Sequence, residues 1–233
     1  MIIGIPILLI LVILLSRNEI VRAAVRVGGT SALGVQTRLE SASVSLWGRS
    51  ITLRGLDVAN PKGFKSPSFV KADLISVSAE VGALRKKEIH LYLVTLNGPE
   101  FTYEYAKPES NLAALMNHLK GNEQTPKPSG EPVKLKIDRL TMSNAKVHVV
   151  VMGKPLDVSL GTVVINNLDD GHGNAIPMDQ VLSAVLAKLA GSITDTVKGL
   201  PNSVAKDILP GLKNEAGGLG EGVGSAIKRL FGN

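Results

Sequence analysis

The amino-acid sequence predicts a mainly β domain with helices at both ends, an α+β fold. Three observations predict it: an uninterrupted apolar run at residues 2–15, short stretches of alternating apolar and polar residues from 35 to 165, and apolar residues at helical spacing from 178 onwards. The chain has 233 residues, of which 44% are hydrophobic and 3% aromatic. This composition excludes a disordered chain and allows one domain with appendages.

The apolar run predicts a signal anchor and a juxtamembrane helix over residues 1–30, and no small-residue cleavage site follows it. As a helix its fourteen residues reach about 21 Å, less than the ~30 Å hydrocarbon core of a bilayer. Residues 20–25 could complete the span with Arg17 and Arg22 at the lipid headgroups, and a buried core helix is the alternative. The side chains assigned to the membrane anchor are Ile2, Ile5, Leu8, Leu11 and Leu15.

Residues 31–170 are predicted to form a sheet domain of about ten short strands broken by Gly, Pro and Asn. The alternation changes parity between Leu39 and Ala42, which predicts a bulge or twist at Ser41. One helix is expected over residues 110–120, where apolar residues return to helical spacing. A polar loop rich in proline follows over residues 121–132.

Residues 171–233 are predicted to form amphipathic helices, because apolar residues between 178 and 200 recur with a period of 3.6. Prolines and glycines cut the rest of the tail into short pieces that need a surface to lie on. That surface could be the sheet, a partner or lipid. At the end of the tail, Lys228 and Arg229 are assigned to headgroup contacts.

The residues offer little for catalysis or cofactor binding. The four histidines are scattered, the chain has no cysteine, and no catalytic or phosphate-binding motif is present. The acidic segment 169–174 is expected to be a polar turn rather than a cation site. The sequence therefore predicts a protein that is not an enzyme and has no cofactor and no metal site. Nucleic acid is excluded as a partner despite the net charge of +6, since a basic stripe with aromatic residues is missing.

A resemblance appears in residues 43–64, which read SVSLWGRSITLRGLDVANPKGF. It continues in order with LRKKEIHLYL from residue 84, LNGPEFTYE from residue 96 and a helix that opens with Asn111 and Leu112. This co-linear set resembles the AsmA-like family. The resemblance covers residues 1–165, about 70% of the chain.

The resemblance implies a curved antiparallel β-sheet with an apolar concave groove. It also implies a single-pass anchor in the bacterial inner membrane and a body in the periplasm. Members related to the bridge-like lipid-transfer proteins move lipids or assist outer-membrane biogenesis. At ~4.8 Å per strand, about ten strands make a sheet near 50 Å long, so one copy could not bridge two membranes unless copies stack or a partner completes the route.

The leading hypothesis is lipid handling or maintenance of the outer envelope, with phospholipid and the inner membrane as partners. The alternative is a scaffold subunit of a homo-oligomeric or multi-protein envelope assembly, which would use its sheet edges and C-terminal helices. The sequence leaves open whether the groove is exposed or filled by those helices. The groove is assigned to Val44, Leu46, Ile51, Leu53, Val77, Val81, Leu91, Leu93, Val147, Val149 and Val151.

Overall fold

The computed structural model describes residues 4–45, 47–80, 88–106, 108–124, 133–151 and 154–199, apart from the side chains of residues 4–17, 122–124, 151 and 154. This part of the chain contains three helices and eleven strands. The helices are α1 (Gly4–Leu33), α2 (Asn111–Gln124) and α3 (Met178–Lys198). The strands are β1 (Thr37–Ser45), β2 (Ser50–Ala59), β3 (Ser68–Ala79), β4 (Glu88–Asn97), β5 (Glu100–Ala106), β6 (Glu109–Ser110), β7 (Lys134–Ser143), β8 (Lys146–Val151), β9 (Lys154–Ser159), β10 (Val163–Leu168) and β11 (Ile176–Pro177).

Helices α1 and α2 have recognisable capping residues. Helix α1 ends at Leu33, where Gly34 has φ +69° and donates its N–H to the carbonyl of Thr30. Helix α2 is capped by the hydroxyl of buried Ser110, which accepts the N–H of Ala113. It continues four residues beyond the predicted end.

Among the described residues, no helix combines the length and the apolar character needed to cross a bilayer. The anchor side chains Ile2, Ile5, Leu8, Leu11 and Leu15 lie outside the described side chains.

Three pairs of consecutive strands act as single long strands. Strands β4 and β5 both pair with β3, and the offset of the register is the same in both. The parallel pairings of β4 with β7 and of β5 with β8 also share one offset. The antiparallel pairings of β7 with β10 and of β8 with β9 share one offset as well. The described sheet therefore consists of six long strands, in the spatial order β1, β2, β3, β4–β5, β7–β8 and β9–β10, and of the two-residue strands β6 and β11, which pair with β5 and β7.

All six long strands interrupt their pairing at the same level of the sheet. The residues left out of the ladder there follow one another directly across the sheet. We call this row the first break line. It consists of Glu40, Gly55, Asp73, Gly98, Asn144 and Gly161. Three of its members, Gly55, Gly98 and Asn144, have positive φ.

At the first break line the apolar residues of each strand step by three positions instead of two. The steps are Leu39 to Ala42, Leu53 to Leu56, Ala72 to Ile75, Leu96 to Pro99, Met142 to Ala145 and Leu160 to Val163. An inserted residue changes the parity of a strand, so the same physical face stays apolar on both sides of the line. Buried residues from both sides accordingly belong to one hydrophobic core.

The expectation of an antiparallel sheet is wrong, because the sheet is mixed. Strands β4–β5 and β7–β8 run parallel along their whole paired length. Parallel neighbours need a crossover connection, and α2 provides it between β6 and β7. Helices α2 and α3 contact each other, and they contact β5 and β10 respectively. The core lies between these helices and the sheet.

The two edges of the sheet differ. The outer edge of β1 is covered by α1, which contacts this strand along its length. On the far side, no strand in the described part of the chain pairs with the outer edge of β9 and β10. Pro155 lies in β9, where a missing N–H is tolerated because edge strands make ladder bonds on one side only.

The first break line predicts a position-dependent effect of replacing its glycines. Gly98→Ala should destabilise the protein by about 1–2 kcal/mol, because φ is +65° and a side chain there meets no atom that could compensate. Gly161→Ala is the matched control, since Gly161 lies on the same line in equally open space but without positive φ. The control should be stabilising by about 0.4–1 kcal/mol. Urea unfolding followed by circular dichroism measures both, and equal effects would contradict the assignment.

Candidate functional site

The inner face of the sheet carries apolar rows that cross all six long strands. In one row, each residue stands directly opposite the next on the neighbouring strand. Its members are Val44, Ile51, Val77, Val94, Leu140 and Ile165, and all are buried. The adjacent row is equally complete and consists of Ala42, Leu53, Ile75, Leu96, Met142 and Val163.

The helices cover this face. One side of α3 is buried along its whole length, through Val181, Leu189, Ile193 and other small or aliphatic side chains, and α3 packs against β7 and β10. Helix α2 packs against β5 through Leu112, Leu115, Met116 and Leu119. In the described part of the chain, the apolar face is therefore filled by packed helices.

The structure separates the residues assigned to the groove. Five of them lie buried in the core, and Leu53 and Leu91 are half-buried against it. The five are Val44, Ile51, Val77, Val147 and Val149. Leu46 and Val81 and the side chain of Val151 lie outside the described residues.

Leu93 is on the opposite, polar face, where it is 40% exposed. Its cross-strand partners are Ser78 and Arg139. A register shift next to Ser78 changes the parity of β4 between Leu91 and Leu93, which is why the two leucines do not share a face.

Helix α1 binds the free edge of β1 through polar side chains. The Asn18 Oδ1 accepts the N–H of Val44 at 3.0 Å, and Thr30 Oγ1 accepts the N–H of Thr37 at 3.0 Å. Between them, Arg22 Nε donates to the carbonyl of Leu39 at 2.9 Å. These bonds satisfy backbone groups that an edge strand otherwise exposes.

The approach of α1 to β1 is close and fixes the role of Arg22. A Cβ at Gly29 would lie 2.8 Å from Thr37 Oγ1, so the helix needs glycine there. Arg22, assigned to headgroups, instead binds β1 and lies 3.3 Å from the carboxylate of Glu19. Arg17 lies outside the described side chains. Lys228 and Arg229 lie outside the described residues.

A buried polar network joins the loop after β2 to β5 and the start of α2. Glu104 accepts the backbone N–H groups of Lys65 and Ser66, both at 2.8 Å. Asn111 Oδ1 accepts the N–H of Glu104, and Asn111 Nδ2 donates to Asn60 Oδ1 at 2.8 Å. Glu104 and Asn111 are 4% and 0% exposed, so this network is a structural latch inside the domain.

Burial by itself raises the pKa of Glu104, but the N–H donors of Lys65 and Ser66 outweigh it and the pKa lies below its ordinary value. Asn60, Glu104 and Asn111 enter the sequence-based expectations only as parts of the resemblance, and none of them is predicted to join a buried network. The local pattern gives no signal, because the alternation in β5 places Glu104 in phase with Glu100 and Thr102 and so predicts that it is exposed.

The acidic segment after β10 is a closed polar turn. Asp170 Oδ1 accepts the N–H groups of His172 and Asn174, and Asp170 Oδ2 accepts Asn174 Nδ2 at 2.8 Å. The side-chain amide of Asn174, with these N–H groups, lowers the pKa of Asp170 to about 2. The turn joins the sheet to β11 and α3, as the sequence predicts.

A second break line crosses three strands of the sheet. Strand β4 leaves Tyr92 out of its ladder, β7 leaves out Asp138, and β10 leaves out Asn167. A shallow depression of about 560 Å³ lies there.

Two histidines on the sheet are paired with carboxylates. His90 Nε2 is 2.8 Å from Asp138 Oδ1, and on β8 His148 Nδ1 is 2.7 Å from Asp157 Oδ1. Among the described residues, no three potential metal ligands come together.

In comparisons with known proteins, no family model, curated protein or solved structure matches this chain. The resemblance to the AsmA-like family therefore rests on the sequence motifs alone.

The latch predicts an acid-sensitive contribution to stability. Glu104→Gln should cost about 2 kcal/mol at neutral pH, because an amide presents only one acceptor to the two N–H donors. The folded pKa of Glu104 is lowered, so the wild-type advantage is full above the ordinary value of 4.5 and disappears as pH falls through the lowered folded value.

Urea unfolding at a series of pH values measures this advantage. Glu100→Gln is the matched control, because Glu100 lies on the same strand but is exposed. A wild-type advantage of the same size over both variants would contradict the role given to Glu104.

Proposed function

We propose that this chain is a non-enzymatic scaffold protein of the bacterial envelope, held on the inner membrane by α1 with its body in the periplasm. The apolar run of residues 2–15 supports the membrane site, and the resemblance supports the compartment. The observation that carries the proposal is that α1 is one helix from Gly4 to Leu33 whose second half is bonded to β1.

A tether of this kind differs from a flexible linker. The apolar run enters the body of the protein without an intervening loop, and three side-chain bonds and the close contact at Gly29 hold the helix on the sheet. The 30 residues of α1 extend about 45 Å. A membrane that holds the first half of the helix would therefore hold the sheet at a defined height and angle.

The polar groups of the described residues support a non-catalytic role. The two His–Asp pairs are partly exposed on the sheet, and each histidine is engaged by a carboxylate beside it. The buried carboxylate of Glu104 is fully used in the latch, bonded at both oxygens. These groups are placed to stabilise the sheet and its loops.

Membrane attachment is tested by changing the apolar run. Leu8→Arg with Leu11→Arg should move the full-length protein from the membrane fraction to the soluble fraction, because each arginine at the centre of a spanning helix costs about 2.5–3.5 kcal/mol. Ala23→Arg with Val27→Arg adds the same charge to exposed positions of the same helix and should leave the protein in carbonate-washed membranes. Wild-type protein in the soluble fraction would refute the tether.

Lipid handling is the second candidate function. It is favoured by the two complete apolar rows and by Ser183, whose buried hydroxyl on the inner side of α3 has no hydrogen-bond partner in the described part of the chain. An unpaired buried hydroxyl weakens the seating of α3 by about 1–3 kcal/mol. A lipid chain would occupy the rows by displacing α3.

Native mass spectrometry of the full chain, extracted in mild detergent, tests this second candidate. A lipid-handling protein should retain phospholipid, and Ser183→Ala should retain less because α3 then seats more firmly. Ser192→Ala is the control, since its hydroxyl bonds Lys188 within α3 away from the core. Absence of phospholipid from the wild-type protein would refute lipid handling and leave the scaffold role as the proposed function.

A further inference from the structure

The sole tryptophan of the chain, Trp47, is fully exposed at the turn between β1 and β2. Its relative exposure is 101%, so it has no packing partner among the residues that the structure describes. Tryptophan, like tyrosine, is enriched where proteins meet the headgroup region of a bilayer, because its ring is largely apolar and its N–H is polar.

The contacts of α1 show which end of the sheet this turn occupies. Along β1, Thr37 meets Thr30, Leu39 meets Arg22, and Val44 meets Asn18. Helix α1 and strand β1 are therefore antiparallel, because residues further along β1 contact residues closer to the start of α1. The end of β1 that leads to Trp47 points in the same direction as the apolar start of α1.

The heights also agree. Trp47 is three residues beyond Val44, which is at most about 10 Å along an extended chain. On α1, the apolar run ends at Leu15, three residues beyond Asn18 or about 4.5 Å. Trp47 is therefore within reach of the level of Leu15, the last residue of the apolar run, which is where headgroups would surround the helix.

We propose that the β1–β2 turn is a second membrane contact, in which the Trp47 side chain enters the headgroup region of the bilayer that holds α1. Arg49, exposed in the same turn, lies beside the lipid phosphates. The proposal rests on the tether described above. Two contacts fix the rotation of the sheet about the axis of α1, which a single helix cannot do.

A fluorescence experiment tests the contact directly, because the chain has one tryptophan. Full-length protein is placed in nanodiscs of phosphatidylcholine and phosphatidylglycerol, with or without lipids brominated near the headgroup. The expected result is a blue-shifted emission and quenching of about twofold by the brominated lipid. The reporter control is Trp47→Phe with Tyr92→Trp, which moves the indole to the polar face of the sheet and should give no quenching by lipid.

The outcomes separate the two proposals. Protein that enters nanodiscs while Trp47 stays unshifted and unquenched overturns the second contact and leaves the tether standing. Protein that does not enter nanodiscs overturns the tether. Equal quenching of the Tyr92→Trp reporter overturns the assigned orientation, because it would place the polar face against the bilayer.

Discussion

A strand that gains one residue exchanges its two faces, so a sheet keeps one apolar face through such an insertion only if every strand inserts at the same level. The first break line meets this condition in all six long strands. If one strand lacked its insertion, half of its apolar residues would point into water. The long strands, the filled core and the placement of α2 and α3 all depend on this agreement.

Part of the fold is readable from the residues. The parity change between Leu39 and Ala42 predicts a bulge in β1 at Ser41, and the residue left out of the ladder is its neighbour Glu40. The same three-residue step is present in the other strands, for which no bulge is predicted. The helical spacing after residue 178 predicts α3. What the residues do not reveal is that β4 and β7 run parallel, because alternation along a strand carries no information about the direction of its neighbour.

The residues of the candidate site also fall into two groups, those whose position the sequence pattern predicts and those whose position it does not. Burial of Val44, Ile51 and Val77 follows from their pattern, whereas the position of Leu93 depends on a register shift that involves a neighbouring strand. Asn60 and Asn111 are 51 positions apart and touch only in the folded state, so their pairing cannot be read from local spacing. The latch is non-local, and so is the bonding of α1 to β1.

The difference between the two edges limits how copies of this protein can join. With α1 bonded along β1, head-to-tail addition of one sheet to the next is blocked, and an open-ended filament built by strand pairing cannot grow. In the described part of the chain the outer edge of β9 and β10 is unpaired, and pairing of two copies through this edge would consume it in both partners, so that assembly would stop at two copies. Helix α1 thus also stops β-sheet polymerisation at the β1 side of the sheet.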